Sequence, residues 1–434
     1  MMSRSRPAIR RPATVFIAAA LIGATALSAC STPEKSGSSG EAKDVPGITK
    51  TSVKIGTHTP LTGPASAGYA PISKAAAAYF AYLNAKGGVN GRKIDYVVKD
   101  DGYNPATTST VVRELVQQDK VFAIVNGLGT PTHAAVVDYL NQQKVPDLFV
   151  ASGASLWNQP EKSPQTFGFN LDYVREGKIL AHYLQEKNPD AKFCVLRQDD
   201  DFGKDLTTGI TQVLGKVTAE QKYAVSNESL TAQIGALQQA GCTVNLLGTV
   251  TPFTALALGT AAKMGYRAQW AASSSGGDYP SLVGYLGEDV GPKLLEGLVA
   301  ANYLPFNADD DWVKLFQQIN TEYNADAPFT GNTIYGMSMA YTFAEALSQA
   351  GENPTREGII EALQSGSVKS NGITPAAFSA TNHEPFGGAG ITVVSKGVQA
   401  YLDGQVFTTD AQAGPVEAYT GPAVALTGEG IPGK

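Results

Sequence analysis

The sequence predicts an α/β protein of two lobes, each a doubly wound parallel sheet with helices on both faces. Three observations carry this. Short strand-like runs alternate with helical runs from residue 53 onward. The alternation restarts near residue 173, so the chain reads as two similar halves. Beyond its leader the chain has about 400 residues, more than one core comfortably holds.

The elements follow in order. Residues 53–56 read as a strand. Residues 72–86 form an Ala-rich helix, stopped by Gly87-Gly88, where glycine takes the left-handed cap. A strand at 93–99 leads to a helix at 105–119 with Thr108, Val112, Leu115 and Val116 on one face. Residues 122–125 read as a buried strand, 131–143 as a helix and 148–150 as the next strand. In the second half, helices at 173–187, 204–214, 231–240 and 252–264 alternate with strands at 193–196, 222–225, 244–247 and 269–271. A strand at 297–301 precedes helices at 310–323 and 333–350. These are too many for the second half, so some return to the first. Residues 401–406 read as a hairpin turning at Asp403-Gly404.

The first 29 residues read as a secretory signal. Arg4, Arg6, Arg10 and Arg11 precede an apolar run at 13–26, and Leu27-Ser28-Ala29-Cys30 fits a lipobox. The run falls short of the about 20 residues that a spanning helix needs. The expected mature chain starts at Cys30, carries lipid there and sits outside the cytoplasmic membrane, away from ATP and NAD. The alternative is a plain signal with an incidental cysteine. Residues 30–50 read as a flexible tether and 411–434 as a flexible tail.

Composition narrows the function. The net charge is −6, and no basic run follows the leader, which argues against a nucleic-acid partner. There are three cysteines. With Cys30 lipidated, Cys194 and Cys242 remain as a disulfide or as two buried thiols. The four histidines are scattered, without metal-ligand spacing. No nucleophile elbow and no phosphate-binding Gly-Lys-Ser/Thr loop occurs. No cofactor or metal is expected, and a secreted hydrolase is the weakest reading.

Open α/β sheets bind ligands beyond the carboxyl ends of their strands. In the first half these ends carry Pro60-Leu61-Thr62-Gly63-Pro64 with Tyr69 nearby, then Gly127-Leu128-Gly129-Thr130-Pro131, then Ala151-Ser152-Gly153-Ala154-Ser155. Thr130 suits an N-cap and Pro131 a first helical turn, so this loop would offer amide N–H groups to a carboxylate. Ordinary tight turns are the competing explanation.

Residues 53–156 resemble the first lobe of the substrate-binding proteins of branched-chain amino-acid ABC importers. The resemblance rests on Leu61-Thr62-Gly63-Pro64, on residues 83–92 (Leu-Asn-Ala-Lys-Gly-Gly-Val-Asn-Gly-Arg), on Asp100-Asp101, on Asn104-Pro105 and on Ser152-Gly153-Ala154-Ser155. Weaker similarity runs to about residue 403. The resemblance implies a type I periplasmic-binding fold. Lobe 1 would hold 52–172 plus about 302–390, and lobe 2 would hold 173–301 plus about 391–410, joined by a three-segment hinge. It implies that Thr130 and Ser155 hydroxyls hold a ligand carboxylate and that the Gly153 carbonyl accepts from an ammonium. It places Tyr69, Phe202, Thr251 (or Val250), Ser274 and Tyr335 (or Met337) around the pocket.

One departure stands out. Relatives carry an acid after the strand at 269–271, whereas this chain has Ser273-Ser274-Ser275-Gly276-Gly277, with Asp278 the nearest acid. An unpaired buried ammonium costs several kcal/mol. Either Asp278 reaches in or the ligand lacks that amine. The implied function is a monomeric solute-binding lipoprotein of an ABC importer. It would capture an amino acid or related small carboxylate or amide and hand it to permease subunits. A sensor of the same fold that docks to a signalling receptor is the alternative.

Overall fold

The computed structural model describes residues 45–433. The signal at 1–29, Cys30 and the tether up to residue 44 lie outside the described residues.

The first lobe starts with β1 (Ser52–Thr59), α1 (Ser66–Ala85) and β2 (Lys93–Asp100). Helix α1 buries Tyr69, Ile72, Ala76, Tyr79, Phe80 and Leu83, which recur at helical spacing. Gly88 after it has φ +76°, and a Cβ there would sit 2.0 Å from the Arg92 carbonyl oxygen. Then come α2 (Pro105–Gln117), β3 (Ile124–Val125), α3 (Thr130–Ala134), α4 (Val137–Gln142), β4 (Asp147–Val150) and β5 (Thr166–Gly168). Asn104 caps α2 by accepting from Ala106 and Thr107 N–H, with Pro105 at the first position.

The second lobe runs through α5 (Tyr173–Lys187), β6 (Phe193–Gln198), α6 (Asp201–Leu214), β7 (Ala219–Tyr223), α7 (Thr231–Gln239) and β8 (Val244–Gly248). It continues with α8 (Thr251–Lys263), β9 (Gln269–Ala272), α9 (Tyr279–Leu286), α10 (Gly291–Leu295) and β10 (Val299–Asn302). The chain returns to the first lobe with α11 (Asp311–Tyr323), α12 (Gly331–Gln349) and α13 (Arg356–Gln364); α11 and α12 pack against α1. It crosses again to add β11 (Gly388–Ser395), β12 (Val398–Thr408) and β13 (Glu417–Ala418).

The sheets repeat one another. The first has the order β2-β1-β3-β4-β5, and the second contains β7-β6-β8-β9-β10, so both follow one doubly wound plan. All pairings inside these five-strand blocks are parallel; β11, β12 and β13 extend the second sheet antiparallel. Strands β4, β6 and β8 are buried throughout, as helices on both faces require. The chain passes between the two sheets three times: between β5 and α5, between β10 and α11, and between α13 and β11. A disulfide joins Cys194 in β6 to Cys242 just ahead of the adjacent β8, with Cα atoms 5.9 Å apart.

Several expectations are corrected. The helix anticipated over 131–143 is two short helices, because Val136 leaves helical geometry at φ −127° and is buried. Asp403-Gly404 does not turn a hairpin. It lies inside β12, where residues 402–405 bulge opposite Ile391 and Gly404 takes φ +69°. The turn is Lys396-Gly397, with φ +52° and +77°, the geometry of a two-residue hairpin loop. The second return to the second sheet begins at Gly388, slightly earlier than expected.

The tail at 411–434, read as flexible, makes specific contacts over its described residues although most of them are exposed or half-buried. It supplies β13 to the second lobe, then crosses to the first. There Val424 carbonyl accepts from Trp312 Nε1 at 2.9 Å, Glu429 carbonyl accepts from the Tyr82 hydroxyl at 2.9 Å, and Gly430 carbonyl accepts from the Tyr79 hydroxyl. At the other end of the chain, the last tether residues are also tied down, with Lys54 N–H donating to the Gly47 carbonyl at 2.7 Å.

Candidate functional site

The carboxyl ends of β1, β3 and β4 face those of β6, β8 and β9 across the gap between the lobes. Gly129 ends the loop after β3 at φ +102°, and a Cβ there would lie 2.6 Å from the Tyr103 ring. Glycine therefore lets that ring rest on the loop. The following Thr130 hydroxyl does not cap α3; it pairs with the Ser152 hydroxyl at 2.7 Å, tying the loops after β3 and β4 together.

A buried polar chain fixes these loops from below. Asp101 Oδ2 meets His58 Nδ1 at 2.7 Å, His58 Nε2 meets His133 Nδ1 at 2.9 Å, and His133 Nε2 meets Asp147 Oδ2 at 2.9 Å. Thr108 and Thr166 hydroxyls donate to the two carboxylates. Burial pushes the His58 imidazole below its ordinary value. Gly127 lies over the imidazole pair, where any Cβ would come within 2.5 Å of both rings.

Between the lobes lies a central cell of about 60 Å³. The first lobe lines it with Tyr69, Ile72, Tyr103, Leu128, Gly129, Thr130, Ala151, Asn332 and Tyr335, and the second with Tyr173, Phe202, Val250, Ser274 and Ser275; Asn170 and Tyr303 come from the crossings. Among the described residues, no Asp, Glu, Lys or Arg lines this cell. A second cell of about 50 Å³ shares Ser274, Tyr303, Asn332 and Tyr335 and adds Asp278 and Gln399.

Five of the sequence-predicted residues thus meet here: Tyr69, Thr130, Phe202, Ser274 and Tyr335. Phe202 packs on Tyr173 with ring centroids 4.4 Å apart. The Tyr335 hydroxyl donates to Asn170 Oδ1 at 2.8 Å. Three others lie outside the cell's walls. Gly153 is pinned at the first crossing, where its carbonyl accepts from Tyr173 N–H at 2.8 Å and a Cβ would sit 2.1 Å from Leu171 O. Ser155 is exposed, and its N–H donates across the lobes to Asp205 at 2.9 Å. Thr251 turns toward the Tyr69 hydroxyl, leaving Val250 as the wall, while Met337 is core. Sequence reasoning missed Tyr173, Tyr303, Asn170 and Asn332, which come from crossings and helix starts that carry no loop motif, and Tyr103, which lies between the quoted Asp100-Asp101 and Asn104-Pro105.

Further hydrogen bonds hold the lobes together. The Tyr69 hydroxyl donates to the Ser275 carbonyl at 2.6 Å and accepts from Thr251 N–H at 3.1 Å. The Tyr285 hydroxyl of α9 accepts from Gly68 N–H and donates to the Pro64 carbonyl, both at 3.0 Å. Asp278 caps α9 through Ser281 and accepts from Gly331 N–H of the first lobe at 2.8 Å. It therefore lines the second cell and does not enter the central one.

The acid missing after β9 has a neighbour from elsewhere. Glu176 of α5 is fully buried beneath the serine loop, accepting from Ser274 N–H and from the Ser273 and Ser274 hydroxyls. Burial pushes its carboxyl up to about 7. The folded state thus holds this proton more tightly than the unfolded chain. Its contribution is full at low pH and is lost as pH rises from the ordinary glutamate range through about 7. Glu176→Gln should flatten the fall in stability between pH 5 and pH 8 by on the order of 3 kcal/mol. Urea unfolding at both pH values checks this; parallel pH profiles for both proteins would contradict it.

The family model described as periplasmic binding protein matches residues 52–399. The Leu/Ile/Val-binding protein homolog 2 of Brucella abortus is 26% identical over 322 residues, covering 70% of this chain and 80% of the relative. In fold, the chain is similar to a fatty acid ABC transporter substrate-binding protein from Thermomonospora curvata, with TM-score 0.75 and 23% identity over 87% of this chain and 98% of that one. It is also similar to a branched-chain amino acid ABC transporter protein from Thermus thermophilus with bound valine, with TM-score 0.72 and 21% identity over 84% and 98% of the two chains.

Proposed function

The chain belongs to the periplasmic binding protein family, and from that premise we propose that it is the extracytoplasmic solute-binding component of an ABC importer. It captures an amino acid or a related small carboxylate or amide between its lobes and presents the closed form to permease subunits. In this reading it works as a monomer, held to the membrane by lipid on Cys30. No described helix is long and apolar enough to cross a membrane.

The observation that carries the reading is the central cell, whose walls come from strand ends of both lobes and whose closure is made by paired hydrogen bonds across them. A ligand that touches both walls stabilises the closed state over the open one. When Ser152 donates to Thr130, the Thr130 hydroxyl keeps its proton for a ligand oxygen. Asn332 and Ser274 add polar groups, while the aromatic walls supply apolar contact. The uncharged lining favours a carboxylate or amide head over an exposed ammonium, because a desolvated ammonium needs a charge partner.

Calorimetric titration with leucine, valine, benzoate and short-chain carboxylates tests this. Micromolar binding, about −8 kcal/mol, is expected for at least one of them, and Thr130→Ala should weaken it more than tenfold. Absence of both heat and thermal stabilisation across the panel would contradict the reading; micromolar leucine binding would overturn the preference against an ammonium.

A further inference from the structure

The central cell, at about 60 Å³, is smaller than the roughly 150 Å³ that accommodates a benzene ring. It does not stand alone. On its outer side lies a groove of about 190 Å³ that shares Tyr103 and Val250 with it. Pro64 and Ala65 of the first lobe form one wall of this groove, and Val225, Pro252 and Phe253 of the second lobe form the other. Asn104 and Ser226 also reach it, so the groove is mostly apolar and, like the cell, is completed only when the lobes meet.

Tyr103 stands between the two spaces. Its backbone has φ +58°, a conformation that bulky side chains rarely adopt and that tends to mark functional segments. Asp101 holds it there by accepting from Tyr103 N–H at 2.9 Å, and the ring lies against the bare backbone of Gly129.

Resting on the binding-protein reading above, we infer that the ligand is elongated. Its carboxylate or amide head occupies the central cell, and an unbranched apolar chain passes Tyr103 into the outer groove, where closure buries it between Ala65 and Phe253. The cell sets the head group and the groove sets the length.

Calorimetry with straight-chain carboxylates from butanoate to decanoate tests the inference on the full mature chain. Affinity should rise by up to about fourfold per methylene until the groove is filled. Val225 is 43% exposed on the groove rim and lies outside the central cell. Val225→Asp should abolish the dependence on chain length while leaving butanoate binding unchanged. A flat or falling series, or equal weakening of butanoate and octanoate by Val225→Asp, would overturn the inference. Tight valine or leucine binding alongside a flat series would do so while leaving the binding-protein reading intact. Binding of none of these compounds would contradict both.

Discussion

Replacing Lys178 with methionine is expected to destabilise the protein by about 2–4 kcal/mol. The Lys178 side chain is only 2% exposed. Its ammonium donates to Asp410 Oδ1 at 2.9 Å and to the carbonyls of Asp410, Gln412 and Gly414 at 3.0, 2.6 and 2.7 Å. Asp410 Oδ1 in turn accepts from the N–H groups of Gln412 and Gly414. The loop is thus folded around a single cation, and the tail beyond it reaches the first lobe. Methionine keeps the apolar stem but leaves several acceptors without a partner. The loss falls short of the largest buried-pair effects because Asp410 is half exposed and can rehydrate. The effect should depend on pH. The hydrogen bond from Lys178 holds the Asp410 carboxyl below its ordinary value. Its contribution is therefore present above the unfolded value and lost as pH falls through the folded one. Urea midpoints should differ clearly at pH 7 and less in acid. Equal midpoints at pH 7 would contradict this account of the tail.

Tyr69→Phe is expected to weaken ligand binding by roughly 5- to 100-fold while leaving the ligand-free fold nearly as stable. The Tyr69 hydroxyl finds both partners, the Ser275 carbonyl and Thr251 N–H, on the opposite lobe. In an open form water can replace it at each. In the closed form its removal leaves the buried Thr251 N–H unpaired, at about 1–3 kcal/mol, while the Ser275 carbonyl keeps the Thr251 hydroxyl at 3.4 Å. The cost thus falls on closure and appears in the dissociation constant. Calorimetry with the cognate ligand measures it, and an unchanged constant would mean that this contact does not govern closure.

What the sequence made legible follows from where the physics is local. The Gly87-Gly88 stop and the face of α2 formed by Thr108, Val112 and Leu115 each depend on neighbours a few residues away, and they appear as read. Thr130, Ser274 and Phe202 were reachable because strand ends in this topology face the cleft. Ser155 was not, because Ser152 sits in the same loop and only the loop's path decides which hydroxyl meets Thr130. Asp403-Gly404 suits a turn, yet tertiary pairing used its positive φ for a bulge. The tail was missed for a different reason. Its sequence lacks an apolar period, and it is held by backbone carbonyls that accept from Lys178, Trp312, Tyr79 and Tyr82. Any sequence presents those carbonyls, so composition cannot announce them.

The central claim is that a small carboxylate or amide is gripped where the strand ends of both lobes meet. A crystal structure of the mature protein with its bound ligand tests this most directly. The account predicts ligand density between Thr130 and Ser274, with a ligand oxygen within hydrogen-bond reach of the Thr130 hydroxyl. Ligand density outside the interlobe cleft, or a ligand touching one lobe alone, would contradict it.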